Sequence, residues 1–169
     1  DALANLKEIY KKENFHAIIL GSDQGRNVYY KKLIVSTERH RIKNKVSFIK
    51  NCRDMPSAYK LANVVVSSSI EPEAFGRVAV EAQAMEKPII ASNIGGSKET
   101  ILNEKSGVLF KSEDSKNLAK ELNKFMEQDK EELNLMGKEG RKNVSKKFNV
   151  DQMCQTTFTE YMKLLKKIK

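Results

Sequence analysis

The fold of this chain is decided by residues 67–99, which read SSSIEPEAFGRVAVEAQAMEKPIIASNIGGSKE. The β-branched run just before them, 63–66, predicts a buried parallel strand. After a serine-rich exit, the apolar stretch 75–85 predicts a helix, and 88–92 predicts the next strand. A strand, a crossover helix and a second strand are typical of an α/β protein with a parallel sheet.

Two carboxylates in this stretch indicate a binding site. Glu73 lies in the loop before the helix, and Glu81 lies within it. The helix carries apolar side chains on nearly every face, so we expect it to be largely buried, and a buried carboxylate needs hydrogen bonds or an opposite charge. Because open α/β sheets bind ligands at the carboxyl ends of their strands, the free amides at this helix start predict a phosphate site. The spacing leaves an alternative open, in which Glu73 only assists the helix dipole and Glu81 pairs with a lysine.

Two motifs in this stretch resemble those of a known enzyme family. Glu73, Phe75, Gly76 and Glu81 match the E-x-F-G-x4-E form of the E-x7-E signature of retaining nucleotide-sugar glycosyltransferases. The segment 95–99, Gly-Gly-Ser-Lys-Glu, resembles the glycine pair that closes the donor site in the same enzymes. Together the motifs resemble the C-terminal, donor-binding domain of a GT-B enzyme of glycosyltransferase family 4.

The resemblance implies a role for each motif residue. Glu81 would accept hydrogen bonds from the ribose hydroxyls, and Glu73 would bind hydroxyls of the donor sugar and is the candidate catalytic residue. The amides near Phe75 and Gly76 would face the phosphates or the sugar, and the exit of strand 46–49 would border the nucleobase. The full set implied for the nucleotide sugar is Glu73, Ala74, Phe75, Gly76, Val78, Glu81, Ile49 and Asn51. The family works without a cofactor or a bound metal, so we expect neither here.

The start of the chain departs from the family pattern. The family's donor domain begins one strand earlier, with a Gly-Arg and a later Lys that neutralise the pyrophosphate, and nothing here matches them. We therefore expect a fragment, or a gene that has lost its front, without the N-terminal acceptor domain and inactive by itself. Since the absent strand lies in the middle of a doubly wound sheet, we expect a gap between 17–20 and 63–66. Open strand edges also predict self-association.

Composition narrows the function classes. The chain has 169 residues and a formal net charge of +9, spread as lysines along predicted helices. The basic run 39–45 lacks the aromatic platforms of a nucleic-acid site, so no nucleic-acid partner is expected. Cys52 and Cys154 are too far apart in sequence for a disulfide framework or metal site. No apolar run is long enough to cross a membrane, and we expect a cytoplasmic protein, with peripheral contact with the inner membrane face left open.

From 113 onward the pattern predicts only helices, over 113–127, 131–147 and 150–169. The last of these is amphipathic, and its apolar side carries Phe158, Tyr161, Met162, Leu165 and Ile168. Two interpretations stay open for this side: docking on a protein core, or binding to a membrane surface.

The sequence as a whole predicts one Rossmann-like α/β domain over 1–169, with a parallel sheet and helices on both faces. The resemblance implies transfer of a sugar from a nucleotide-diphosphate sugar to a glycan or lipid acceptor with its anomeric configuration kept. The alternative is a non-catalytic nucleotide-binding or interaction module of the same fold. A sugar-nucleotide epimerase would need His or carboxylate pairs across a domain cleft, and the sequence offers none.

Overall fold

A computed structural model describes residues 1–23 and 25–167. The strands are β1 Ala17–Leu20, β2 Val46–Ile49, β3 Val65–Ser67, β4 Ile89–Ser92 and β5 Gly107–Phe110. The helices are α1 Ala2–Tyr10, α2 Asn27–Arg39, α3 Met55–Leu61, α4 Arg77–Ala84, α5 Ser97–Thr100, α6 Ser115–Glu127, α7 Lys130–Lys147 and α8 Val150–Lys167. The predicted elements are present with ends shifted by a few residues. Positions 168–169 of the last predicted helix lie outside the described residues.

The strands form two separate parallel sheets. β1 pairs with β2, and β4 lies between β3 and β5. Within the described ranges β1 and β3 do not pair with each other, so the predicted gap between these two strands is confirmed. All pairings are parallel, as expected when each strand is followed by a crossover helix.

The three-stranded sheet has a hydrophobic core on each face. Ile90 of β4 packs with Leu6 of α1 and with Leu118 of α6 on one side. Its neighbours Ile89 and Ala91 point to the other side, toward the cluster of α3 and α4 side chains. Because successive side chains of a strand alternate between faces, β4 is buried on both. The predicted α/β fold, a Rossmann-like parallel arrangement with helices on both faces, is confirmed.

Helix α4 is less buried than the sequence predicts. Ala79 and Ala82 are buried, but Val78 is 37% exposed. The fully buried polar side chain of this helix is Gln83, not Glu81. Its Nε2 donates to the Thr100 carbonyl oxygen at 3.0 Å, so a buried hydrogen bond joins α4 to the end of α5.

The apolar runs before Gly21 and at 63–66 predict buried strands, and both strands that border the gap are more exposed than that. Ile18 and Ile19 of β1 are 52% and 40% exposed, and Val66 of β3 is 38% exposed. In contrast, every residue of β4 is buried. Each of these strands is paired on one side only, so the edge that faces the gap leaves backbone hydrogen-bonding groups open to water beside the exposed apolar side chains.

We expect the 169-residue chain to self-associate, or to complete its sheet with residues supplied from outside this sequence, because open strand edges pair with other chains. Size-exclusion chromatography with light scattering measures this directly. Ile18→Lys, which places a charge on the exposed strand β1, should reduce the association. A wild-type chain that stays a monodisperse monomer at high concentration would contradict the expectation.

Helix α8 leaves its apolar side uncovered. Every residue of 150–166 is exposed, including Phe158, Tyr161 and Leu165, which are 58–63% exposed. Ile168, the last member of the predicted apolar side, lies outside the described residues. The described part of the chain does not dock this side on its own core, and its helices include none that is long and apolar enough to cross a membrane.

Candidate functional site

The candidate site is built around the loop that joins β3 to α4. Gly76 caps the helix with a φ of 77°, a left-handed conformation that glycine adopts without strain. Its carbonyl oxygen accepts the first helical hydrogen bond, from the Ala79 amide at 3.0 Å. The loop therefore ends at the amino end of α4, where free amides and the helix dipole favour an anion.

The glycine pair lies directly against this loop. The Gly96 amide donates to the Glu73 carbonyl oxygen at 2.8 Å. A Cβ at Gly96 would lie 2.5 Å from the backbone of Phe75, and one at Gly95 would lie 2.5 Å from the Glu73 carbonyl oxygen. Since real Cβ atoms do not approach backbone so closely, both positions require glycine. The backbones of the two sequence motifs are therefore in direct contact.

Glu73 is a half-buried carboxylate held inside the loop. Its Oε1 accepts a hydrogen bond from the Ser69 hydroxyl. Ser69 is the last of three consecutive serines, 67–69, of which the first ends β3, and the sequence alone did not single it out. This hydrogen bond and the Gly96 contact fix both the side chain and the backbone of Glu73.

Three apolar residues of the predicted set lie exposed around this loop: Ala74, Phe75 and Val78. The ring of Phe75 is in edge contact with Phe148, with a centroid distance of 5.5 Å and an interplanar angle of 76°. Phe148 follows α7, some seventy residues later, and nothing in the sequence pattern marked it. The contact connects the helical C-terminal part of the chain to the candidate site.

Glu81 is held by two donors. The Tyr59 hydroxyl of α3 donates to Oε2 at 2.9 Å, and the Arg77 guanidinium donates to Oε1 at 3.0 Å. The alternative in which Glu81 pairs with a lysine is therefore wrong, because its cation is the arginine one turn earlier on the same helix. Burial raises the pKa of Tyr59 far above its usual value, and the hydrogen bond to Glu81 raises it further. The hydroxyl consequently remains a donor at neutral pH.

Ile49 and Asn51 lie apart from the loop. Ile49 ends β2, is 43% exposed, and lines a groove of about 290 Å³ together with Tyr30 and Phe48. Among the described residues, none of 67–99 lines this groove. Asn51 is exposed two residues beyond the strand. The structure therefore brings Glu73, Phe75 and Gly76 against the glycine pair, but gathers Ile49 and Asn51 at the end of the other sheet.

The fold and the loop together define an α/β protein of the Rossmann-like class, in which ligands bind beyond the carboxyl ends of parallel strands. The family model for "Glycosyl transferases group 1" matches residues 1–143. The chain belongs to this family.

The similar sequences are also those of glycosyltransferases. The chain is 33% identical over 121 residues to the capsular polysaccharide biosynthesis glycosyltransferase CapM of Staphylococcus aureus, covering 72% of this chain and 31% of CapM. It is 31% identical over 135 residues to a D-inositol 3-phosphate glycosyltransferase of Corynebacterium urealyticum, covering 78% of this chain and 32% of the relative. The chain thus spans about a third of the length of these curated relatives.

Solved structures share the fold, and they are GT-B glycosyltransferases. A glycosyltransferase from Rickettsia africae superposes with a TM-score of 0.89 at 26% identity, over 98% of this chain and 44% of the other. Anabaena HepE, solved in complex with UDP and glucose, superposes with a TM-score of 0.87 at 27% identity, over 96% of this chain and 43% of HepE.

Proposed function

We propose that this chain is the donor-binding domain of a retaining glycosyltransferase of family 4, and that it binds a nucleotide-diphosphate sugar. The observation that carries the proposal is the backbone contact between the Glu73 loop and the Gly95–Gly96 pair, the two segments whose motifs resemble those of a donor site. HepE, which shares the fold, has been solved with UDP-glucose and with UDP and glucose. We assign the same class of ligand to this chain.

In this proposal the Glu81 carboxylate, to which Tyr59 and Arg77 donate hydrogen bonds, also accepts hydrogen bonds from the ribose hydroxyls. Glu73 accepts hydrogen bonds from hydroxyls of the donor sugar, and it is the candidate catalytic residue. The amino end of α4 faces the diphosphate, where its amides and dipole stabilise the charge that builds up on the leaving group. Phe75, Ala74 and Val78 supply the apolar surface around the loop.

The proposal includes three further assignments. Ile49 and Asn51 border the nucleobase, which requires the ligand to extend from the Glu73 loop toward the end of β2. The site works without a divalent metal, as the resemblance of its motifs to those of retaining nucleotide-sugar glycosyltransferases implies. The acceptor is a glycan or a lipid. The name of the relative CapM refers to capsular polysaccharide biosynthesis, which agrees with a glycan acceptor.

A second candidate is a non-catalytic nucleotide-binding module of the same fold. Both candidates require nucleotide binding at the Glu73 loop, and they differ only in whether the bound sugar is transferred.

The sugar assignment is tested by Glu73→Ala. Because Glu73 is assigned to the sugar and not to the nucleotide, we expect the variant to lose about tenfold in affinity for the nucleotide sugar and little for the bare diphosphate. Calorimetric titration of the chain with UDP-glucose and with UDP compares the two. Glu71→Ala removes an exposed carboxylate from the same loop and is the matched control. Equal losses for both ligands would refute the sugar assignment.

A further inference from the structure

The side chain of Tyr59 is oriented by its burial. Tyr59 lies in α3 and is only 7% exposed, packed in the core cluster with Ala79 and Ala82 of α4. A tyrosine ring has few rotamers, and a packed one has fewer, so its hydroxyl has a fixed position. That hydroxyl is 2.9 Å from Oε2 of Glu81.

The Glu81 carboxylate, which accepts this hydrogen bond, has much less packing around it than Tyr59 has. The side chain of Glu81 is 36% exposed, and a glutamate on a helix surface samples several rotamers. Its second donor, Arg77, is 83% exposed on the same helix, and such a surface pair orders a carboxylate weakly. Tyr59 is thus the rigid member of the three.

Protonation keeps the hydrogen bond in one direction. Burial, with the neighbouring Glu81 carboxylate, raises the pKa of Tyr59 above its usual value, so the phenol keeps its proton and donates to Glu81 at neutral pH. With Oε2 held in this way, the remaining lone pairs of the carboxylate have a fixed direction. A pair of vicinal hydroxyls then meets a preorganised acceptor, which lowers the entropy cost of binding.

We propose that Tyr59 is a positioning residue that sets the ribose discrimination of the site by orienting the Glu81 carboxylate. This inference rests on the proposed function, in which Glu81 accepts the ribose hydroxyls. Tyr59 itself does not touch the ligand and acts only through the carboxylate. Its loss should therefore weaken selection for the ribose hydroxyls and spare contacts with the rest of the nucleotide.

The experiment compares UDP with 2′-deoxy-UDP by calorimetric titration of the 169-residue chain and its Tyr59→Phe variant. GDP or ADP and their deoxy forms replace them if the wild type binds those more tightly. We expect the wild type to bind the ribonucleotide about tenfold more tightly than the deoxynucleotide. In Tyr59→Phe this preference should fall to about twofold, with the deoxynucleotide affinity unchanged. Tyr161→Phe, which removes an exposed hydroxyl from α8, should keep the full preference.

Two further variants separate positioning from a structural role. In the Glu81→Gln background, Tyr59→Phe should have no additional effect, because the carboxylate it orients is absent. Glu81→Asp withdraws the carboxylate from Tyr59 without altering the core. It should therefore lose the ribose preference with an unchanged melting temperature, and it replaces Tyr59→Phe as the test if that variant does not fold.

The outcomes are distinct. A wild type that binds none of the three diphosphates refutes the proposed function and this inference with it. A wild type that binds ribo and deoxy forms equally refutes the assignment of Glu81 to the ribose, and this inference with it, but not nucleotide binding. If the wild type prefers the ribonucleotide and either Tyr59→Phe or Glu81→Asp keeps this preference in full, the inference is overturned but the proposed function is not. Equal weakening of both nucleotides by Tyr59→Phe would also overturn it, since that is the result of general loosening.

Discussion

Gly96→Ala is expected to lower the free energy of unfolding by about 3 kcal/mol and to weaken nucleotide-sugar binding at the same time. The backbone of Gly96 has an ordinary helical φ of −62°, so alanine is not strained there by its own conformation. The cost is steric, because the new Cβ would lie 2.5 Å from the backbone of Phe75. The loop that carries Glu73 must then move away from the glycine pair. Thermal unfolding by circular dichroism and titration with UDP-glucose measure the two effects.

Gly25→Ala is the control for this prediction. Gly25 has a φ of 81° but open space around its Cβ position, so alanine there costs about 1 kcal/mol of backbone strain without a clash. Only the free energy of unfolding is compared for this control, because Gly25 lies between Asp23 and Arg26, which line the groove at Ile49. If Gly96→Ala unfolds like the wild type and binds UDP-glucose equally well, the close contact between the two motifs is not what holds the site.

Glu81→Gln is expected to raise the dissociation constant for a nucleoside diphosphate by tenfold to a hundredfold. The neutral amide loses the charge-assisted hydrogen bonds from the ribose hydroxyls, each of which is worth about 1.5–3 kcal/mol. The fold should persist, because Glu81 is partly exposed and its side chain is not in either core cluster. Titration with UDP, GDP and ADP before and after the substitution measures the change.

Glu139→Gln provides the matched control, as it neutralises an exposed carboxylate on α7 that also pairs with a cation one turn away. Its affinity should equal that of the wild type. Unchanged affinity in Glu81→Gln, with the control also unchanged, would mean that the ribose is bound elsewhere.

The local patterns of the sequence predicted most of the fold. The β-branched runs and apolar helix periods located the strands and helices. The gap between β1 and β3 followed from the family resemblance, which implies one more strand in the middle of a doubly wound sheet. The E-x-F-G-x4-E and Gly-Gly motifs predicted a donor site, and the structure places Glu73 against Gly96. These features depend on residues that are close in sequence or on fold-wide rules of parallel sheets.

The sequence could not predict contacts between distant elements. Tyr59 approaches Glu81 only because α3 and α4 pack on one face of the sheet, and a tyrosine at that position otherwise resembles any core aromatic. Phe148 likewise contacts Phe75 only because α7 ends close to the loop that carries Phe75. The burial of α4 was overestimated because its apolar residues surround the helix, whereas the helix has only one face on the core.

The central claim is that the Glu73 loop and the glycine pair form a donor site for a nucleotide-diphosphate sugar. Its most direct test is calorimetric titration of the wild-type chain with a panel of UDP-, GDP- and ADP-sugars, repeated on Gly96→Ala. We predict saturable one-to-one binding of at least one member by the wild type and its loss or marked weakening in the variant. No binding of any panel member by the folded wild-type chain would contradict the claim.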